Sequence, residues 1–142
     1  SVHSRFNLSK DRQTGRLIEA MQNPYFDIFA HPTGRRIQQR PPYEFDMEKV
    51  MEAAVENGCF LELNSHPARL DLDDTHCKLA KEMGLRISIS TDAHRADQLE
   101  YIKYGLDQAS RGWIEAENVI NTRTMTSIKK LLKKNKEQER TA

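Results

Sequence analysis

The chain has 142 residues, 37% hydrophobic and 30% charged, with 22 Lys and Arg against 21 Asp and Glu. That length suits one domain with one ordinary core, and the low apolar fraction still stops short of disordered chains. No uncharged run approaches the ~18 residues of a bilayer span, and no charged-then-apolar leader opens the sequence.

Cys59 and Cys77 form no CxxC, so reduced thiols in a cytoplasmic setting without membrane contact are expected. The net charge of +1 is uneven: residues 124–142 carry +4 and the remainder −3. A solvated C-terminal helix accounts for such a tail, as does a polyanion partner. The chain starts Ser1-Val2-His3 without Met, and is expected to be a piece of something longer.

In chain order, Leu17, Ile18 and Met21 mark a first helix, opened by Thr14. Residues 25–30 (YFDIFA) read as a buried strand, and residues 34–44, with their arginines and prolines, form the longest irregular piece. Met47, Val50, Met51, Ala54 and Val55 follow helical spacing, with Asp46 as cap and Gly58 as stop. A second strand covers 59–63 (CFLEL). Leu72, His76, Leu79, Ala80 and Met83 mark a third helix, opened by acidic residues and closed by Gly84. A third strand covers 85–91 (LRISIST), and further helices are predicted over 97–104, 115–121 and 124–134. His76 reads as a packing residue on its helix and Trp113 as a core anchor. Alternating strands and helices predict an α/β fold with parallel strands joined by right-handed crossovers.

Polar, metal-capable residues recur where these strands end. His31 follows the first strand, Glu62, Asn64 and His66 end the second, and Asp92 and His94 follow the third. His3 follows Val2, read as the tail of a further strand. In a barrel such ends converge on one face. In extended backbone Asp92 and His94 would point to the same side, giving a carboxylate and an imidazole suited to Zn, Mn or Fe. Pro32 ends its strand with His31 at the rim, Gly34 permits a sharp turn, and Arg35 offers a planar fork for phosphate. Arg36 and Arg40 add charge that a solvated basic loop would equally carry. No P-loop, GxGxxG or nucleophilic Ser or Cys constellation occurs.

The runs SVHS, FAHPTGR, LELNSHPARLDL, ISTDAH, YGLDQASRGW and IEAENVINT, in this order, resemble the polymerase-and-histidinol-phosphatase (PHP) domain of bacterial and archaeal family-X DNA polymerases (PolX). The likeness covers residues 1–132, read as the C-terminal portion of that domain, with 133–142 a basic tail. It implies the later βα units of a distorted, TIM-like (β/α)7 barrel. It also implies a cluster of three divalent metals, Mn or Zn, which bind phosphate and generate the attacking hydroxide.

His3, His31, Asp92 and His94 match metal ligands, and Arg35, Arg36, Asn64 and His66 are the candidates for substrate phosphate. The implied activity is 3′-5′ exonuclease or 3′-end phosphatase chemistry on DNA 3′ ends, with an upstream polymerase domain that fills gaps in DNA repair. The family's HxH pair, a further His and a bridging Glu are expected before His3. Asn64-Ser65-His66-Pro67 stands where relatives read Asn-Ala-Asn-Pro. The alternatives are a free-standing PHP phosphatase of small phosphomonoesters and a non-catalytic PHP scaffold. The isolated segment is expected to be inactive.

Overall fold

The computed structural model describes residues 1–132. At its centre lie three parallel strands, β1 (Ile28–Phe29), β2 (Phe60–Asn64) and β3 (Ile87–Ser90), in that spatial order. Phe29 stands opposite Leu61, and Leu61 opposite Ile87. Parallel neighbours need crossovers, supplied here by α2 (Met47–Glu56) and α3 (Asp74–Glu82). The central strand β2 is buried at all five positions, as its place between two neighbours requires. Phe29, Met51, Leu61, Leu63, Leu72 and Ile87 form the interior around it. This is a mixed α/β fold whose sheet, compatible with part of a barrel, does not close one. No helix of the described residues is long and apolar enough to cross a membrane.

The capping residues of α2 and α3 act as their chemistry dictates. Asp46 accepts from the Lys49 amide at 3.3 Å, and Asp73 from the His76 amide at 2.9 Å. Gly58 and Gly84 take the left-handed backbone that ends each helix. His76 is half-buried on α3, as expected.

The first helix, α1 (Lys10–Met21), starts before Thr14. The Thr14 hydroxyl donates to the Lys10 carbonyl at 2.7 Å and accepts from the Asp46 amide at 2.9 Å, tying α1 to the entrance of α2.

Beyond β3 the chain departs further from expectation. Residues 96–101 form a 3-10 turn, and α4 (Ile102–Arg111) starts only afterwards. The helix expected over 115–121 is two 3-10 turns, Ala116–Asn118 and Ile120–Thr122. Its polar side chains are engaged elsewhere: Asn118 accepts from the Glu115 amide at 2.9 Å, and Asn121 leaves the helical path to reach β3. The Asn121 amide accepts from Ile89 N–H at 3.1 Å and donates to Ile89 C=O at 2.8 Å, imitating a neighbouring strand.

Trp113 is 64% exposed, not a core anchor. It sits in a left-handed turn after α4, its carbonyl held by Lys81 at 2.6 Å and its ring beneath the Lys78 ammonium. The last helix, α5 (Met125–Leu131), buries none of its residues. The rest of that expected helix and the basic tail, residues 133–142, lie outside the described residues.

Loop 34–44 folds back on itself through an antiparallel bridge between Arg36 and Arg40. Its base is fixed from β2's side by Asp71, which exchanges two backbone hydrogen bonds with Asn64. The buried Asp71 carboxylate accepts from the Thr33 amide at 3.0 Å and the Gly34 amide at 3.1 Å. Burial raises the Asp71 carboxyl above its usual range, against the Thr33 hydrogen bonds and the nearby Arg35 charge.

Four outcomes follow. Asp71→Ala leaves the buried Thr33 amide without an acceptor and the Gly34 amide with the His31 carbonyl, and lowers unfolding free energy by about 2 kcal/mol, read by urea titration. Gly112→Ala drives a methyl to 2.5 Å from Cys77 Cβ and 2.9 Å from the Asp74 carbonyl, a destabilisation of about 1–3 kcal/mol. Gly15→Ala, which meets nothing within 4 Å inside α1, stabilises by about 0.5–1 kcal/mol, so the two melting temperatures move in opposite directions. Cys77, its thiol pushed up to about 12 by burial and then by Asp73 and Asp74, stays protonated at pH 8 and reacts with a thiol reagent only on unfolding.

Candidate functional site

The three parallel strands end on one side of the sheet, and the residue chemistry gathers there. His31 is the second residue past the end of β1, Glu62 lies within β2, and Asp92 is the second residue past the end of β3. His31 and Asp92 both adopt left-handed backbone, φ 53° in each case. For side chains other than glycine this conformation costs on the order of 1–3 kcal/mol, and such strain concentrates at functional positions.

The His31 ring stands between two carboxylates. Its Nδ1 is 3.3 Å from Glu62 Oε2, and its Nε2 is 3.9 Å from Asp92 Oδ2. Glu62 also accepts from the His31 amide at 2.7 Å and the Ser90 hydroxyl at 2.5 Å. Burial pushes the Glu62 carboxyl up, but the His31 ring, Ser90 and the His31 amide together outweigh it and hold it below the usual range. An ionised Glu62 accepts a hydrogen bond from Nδ1–H of His31, which fixes the tautomer that leaves the Nε2 lone pair toward Asp92. The Asn64 amide, 3.2 Å from His31 Nδ1, competes for the opposite tautomer. His3 packs edge-on against His31, ring centres 5.8 Å apart.

His3, His31 and Asp92 therefore come together, whereas His94 does not join them. Asp92's left-handed backbone breaks the extended geometry that would have set Asp92 and His94 side by side. The exposed His94 ring turns back instead, its Nδ1 2.7 Å from the Asp92 carbonyl. Imidazole plus carboxylate is the donor chemistry that suits a borderline divalent cation. The fit is one of kind and not of number: among the described residues no three His, Cys, Asp or Glu side chains are spaced to hold a metal ion.

The phosphate candidates divide. Arg35 is turned inward: its Nε donates to the Arg69 carbonyl at 2.7 Å, a terminal nitrogen to the Leu70 carbonyl, and another lies 3.7 Å from Asp73. Asn64 is fully buried, facing His31 and accepting from the His66 amide at 3.0 Å. Both hold the site's framework, so neither presents a free group to a phosphate. His66 accepts from the Ala68 amide at 3.1 Å, and its ring meets Tyr101 edge-on. Arg36 is exposed on the folded-back loop.

Sequence reasoning missed Arg69. Its Nε lies 3.4 Å from Asp92 Oδ2, a cation directly at the carboxylate that faces His31. The available signal was its place seven residues after Glu62, in the turn that leaves β2.

No family model matches the chain. Individual proteins do. It is 42% identical over 135 residues to the DNA polymerase/3′-5′ exonuclease PolX of Bacillus subtilis, a match covering 95% of this chain and 24% of that protein. It is 35% identical over 132 residues to a probable phosphatase of a Thermoanaerobacter species, covering 89% of this chain and 51% of that protein. It is 40% identical over 103 residues to a probable phosphatase of Caldanaerobacter subterraneus, covering 66% and 38%. The chain thus spans about a quarter of the polymerase, about half of one of these phosphatases and 38% of the other. Matched along nearly its whole length to part of the polymerase and to the phosphatases beside it, the chain is similar to the PHP-containing region of PolX.

Proposed function

We propose that this chain supplies part of the centre of a metal-dependent phosphoesterase that acts on DNA 3′ ends, as a 3′-5′ exonuclease or 3′-end phosphatase. The protein carrying it would be a family-X DNA polymerase working in DNA repair. The observation that carries this reading is the meeting of His31, Asp92 and Glu62 at the same ends of three adjacent parallel strands. The similarity to a protein named as both polymerase and 3′-5′ exonuclease supports the choice of substrate.

In this reading His3, His31, Asp92 and His94 hold divalent metals, Mn or Zn. Bound there, such ions neutralise phosphate charge and make a water more acidic. The chain's own residues do the rest. Glu62 orients His31 and fixes its tautomer, and Asn64 sets the ring's other limit. Arg69, its Nε 3.4 Å from Asp92 Oδ2, balances that carboxylate and would supply positive charge for a phosphate held there. Further ligands come from residues beyond this chain, so the chain alone binds metal weakly and hydrolyses little.

A second reading, a phosphatase of small phosphomonoesters, draws on the identity with the probable phosphatases.

Titration of the chain with Mn2+ by calorimetry tests the centre. His31→Ala and Asp92→Ala each weaken binding tenfold or more, whereas His76→Ala, remote on α3, leaves it unchanged. Unchanged affinity in the first two variants overturns the ligand assignment, and tight binding of three ions by this chain overturns its incompleteness. In the polymerase that carries the segment, Asp92→Ala abolishes removal of 3′-terminal nucleotides or phosphates and spares gap filling. Retained activity on a small aryl phosphate with none on 3′-tailed DNA favours the phosphatase reading.

A further inference from the structure

Beside the His3–His31 pair lies a group of arginines that the hydrolytic centre does not use. Arg36 and Arg40 are direct cross-strand partners, exchanging backbone hydrogen bonds of 2.9 Å and 2.8 Å. Like charges facing one another in such a pair are destabilising. Arg40 is pinned in place, its guanidinium donating to the Gly34 carbonyl at 3.0 Å and 2.6 Å and lying 4.1 Å over the Phe6 ring. Arg16 reaches from α1 to the Ser4 carbonyl at 3.3 Å. Between Ser4 and Phe6, Arg5 is exposed in left-handed backbone, φ 57°. Four arginines therefore lie on, or bond to, the segment Ser4–Phe6 and the folded-back loop.

Among the described residues, none of these four has a carboxylate within ion-pair distance, although Arg35, Arg69, Arg95 and Arg111 each do. The loop also bounds a cleft of about 430 Å3, lined by Arg36, Ile37, Gln38, Gln39 and Arg40 among others. Two of the cations are already fixed and two face solvent, and the arrangement is costly without anions. The patch runs from both chain segments that carry the imidazoles: Arg5 follows His3 by two residues, and Gly34 follows His31 by three.

We infer that Arg5, Arg16, Arg36 and Arg40 form a track for the phosphate backbone of a nucleic acid, leading its end to the His3–His31 pair. The inference deepens the phosphoesterase reading and rests on it for the substrate's end chemistry. Planar guanidinium groups suit phosphate oxygens in paired contacts, and several at separate positions suit a polymer better than a single phosphomonoester. An exposed loop tip with one aliphatic residue, Ile37, offers little for an apolar partner.

Fluorescence anisotropy with a labelled duplex carrying a 3′ overhang, in EDTA and 25–200 mM NaCl, tests the track without any metal. Binding that weakens with salt is expected, and R5E/R36E lowers the log–log salt slope by about 2 while weakening binding tenfold or more at 50 mM. K78E/K103E, an equal charge change on α3 and α4, retains most of the affinity. If thermal melting shows that R5E/R36E does not fold, R5Q/R36Q is read in its place, with the same expectation.

Absence of DNA binding by the unaltered chain overturns the inference, as does equal weakening by K78E/K103E. Competition by polyglutamate as strong as by unlabelled DNA also overturns it, and assigns the surface to acidic peptides instead. Because the readout needs no metal, these failures stand apart from a failure of the Mn2+ titration.

Discussion

The Asp71 carboxylate is the constraint on which the candidate site hangs. It is fully buried, it anchors by backbone to the last residue of β2, and it holds the two amides that follow Pro32. The chain leaving β1 would otherwise exit toward solvent at Pro32, which cannot continue a ladder. Asp71 turns it back over the sheet instead. That turn brings His31 within reach of Glu62 and Asp92, buries Thr33, and lets Tyr43 close the far side by donating to the Pro32 carbonyl at 2.5 Å. A buried carboxylate is costly to hold. Here it is held by backbone donors, the Thr33 amide and the Gly34 amide, the latter shared with the His31 carbonyl at 3.1 Å, so the two needs answer each other.

Arg35 belongs to the same framework. The sequence suggests a fork for phosphate, and the fork is made, but on the carbonyls of Arg69 and Leu70. In locking that turn it fixes the residue that does face the site, Arg69. Arg35, four positions after His31, thus acts through a second arginine more than thirty positions away, and Asn64 works likewise, setting His31 and the start of the His66 loop with the two ends of one amide. Arg35 and Asn64, both polar and both beside the site, brace its loops.

How much of this was legible depends on the range of the physics involved. Strands and caps are local: alternating buried runs located β1, β2 and β3 to within a few residues, and Asp46, Gly58 and Gly84 bounded helices as their chemistry dictates. The recurrence of His and Asp after those strands located the site's side of the sheet. What escaped was whatever a distant partner decides. Thr14 looked like a cap because its hydroxyl is short and polar, but it serves the entrance of α2 from inside α1. Residues 115–121 have helical composition, yet Asn118 and Asn121 are drawn to other acceptors and donors. Trp113 was assigned inward on apolarity alone, while a left-handed backbone carries its ring out. The inward turn of Arg35 and the approach of Arg69 to Asp92 both depend on a loop fold that no spacing encodes.

The Asn121 clamp on Ile89 ties one edge of the sheet to the lifetime of a single amide. The clamp works because the side chain offers one donor and one acceptor in the order a neighbouring strand would present them. Deamidation, the slow hydrolysis that ages asparagine, exchanges that donor for an oxygen. An acid at position 121 would then set a negative oxygen against the Ile89 carbonyl, and the β3 edge would be left with a bare acceptor. Exposed strand edges recruit other chains. At Ile89 the step from a paired to an open position is the loss of one ammonia molecule, with the Ile87–Val119 bridge left as the edge's remaining cover.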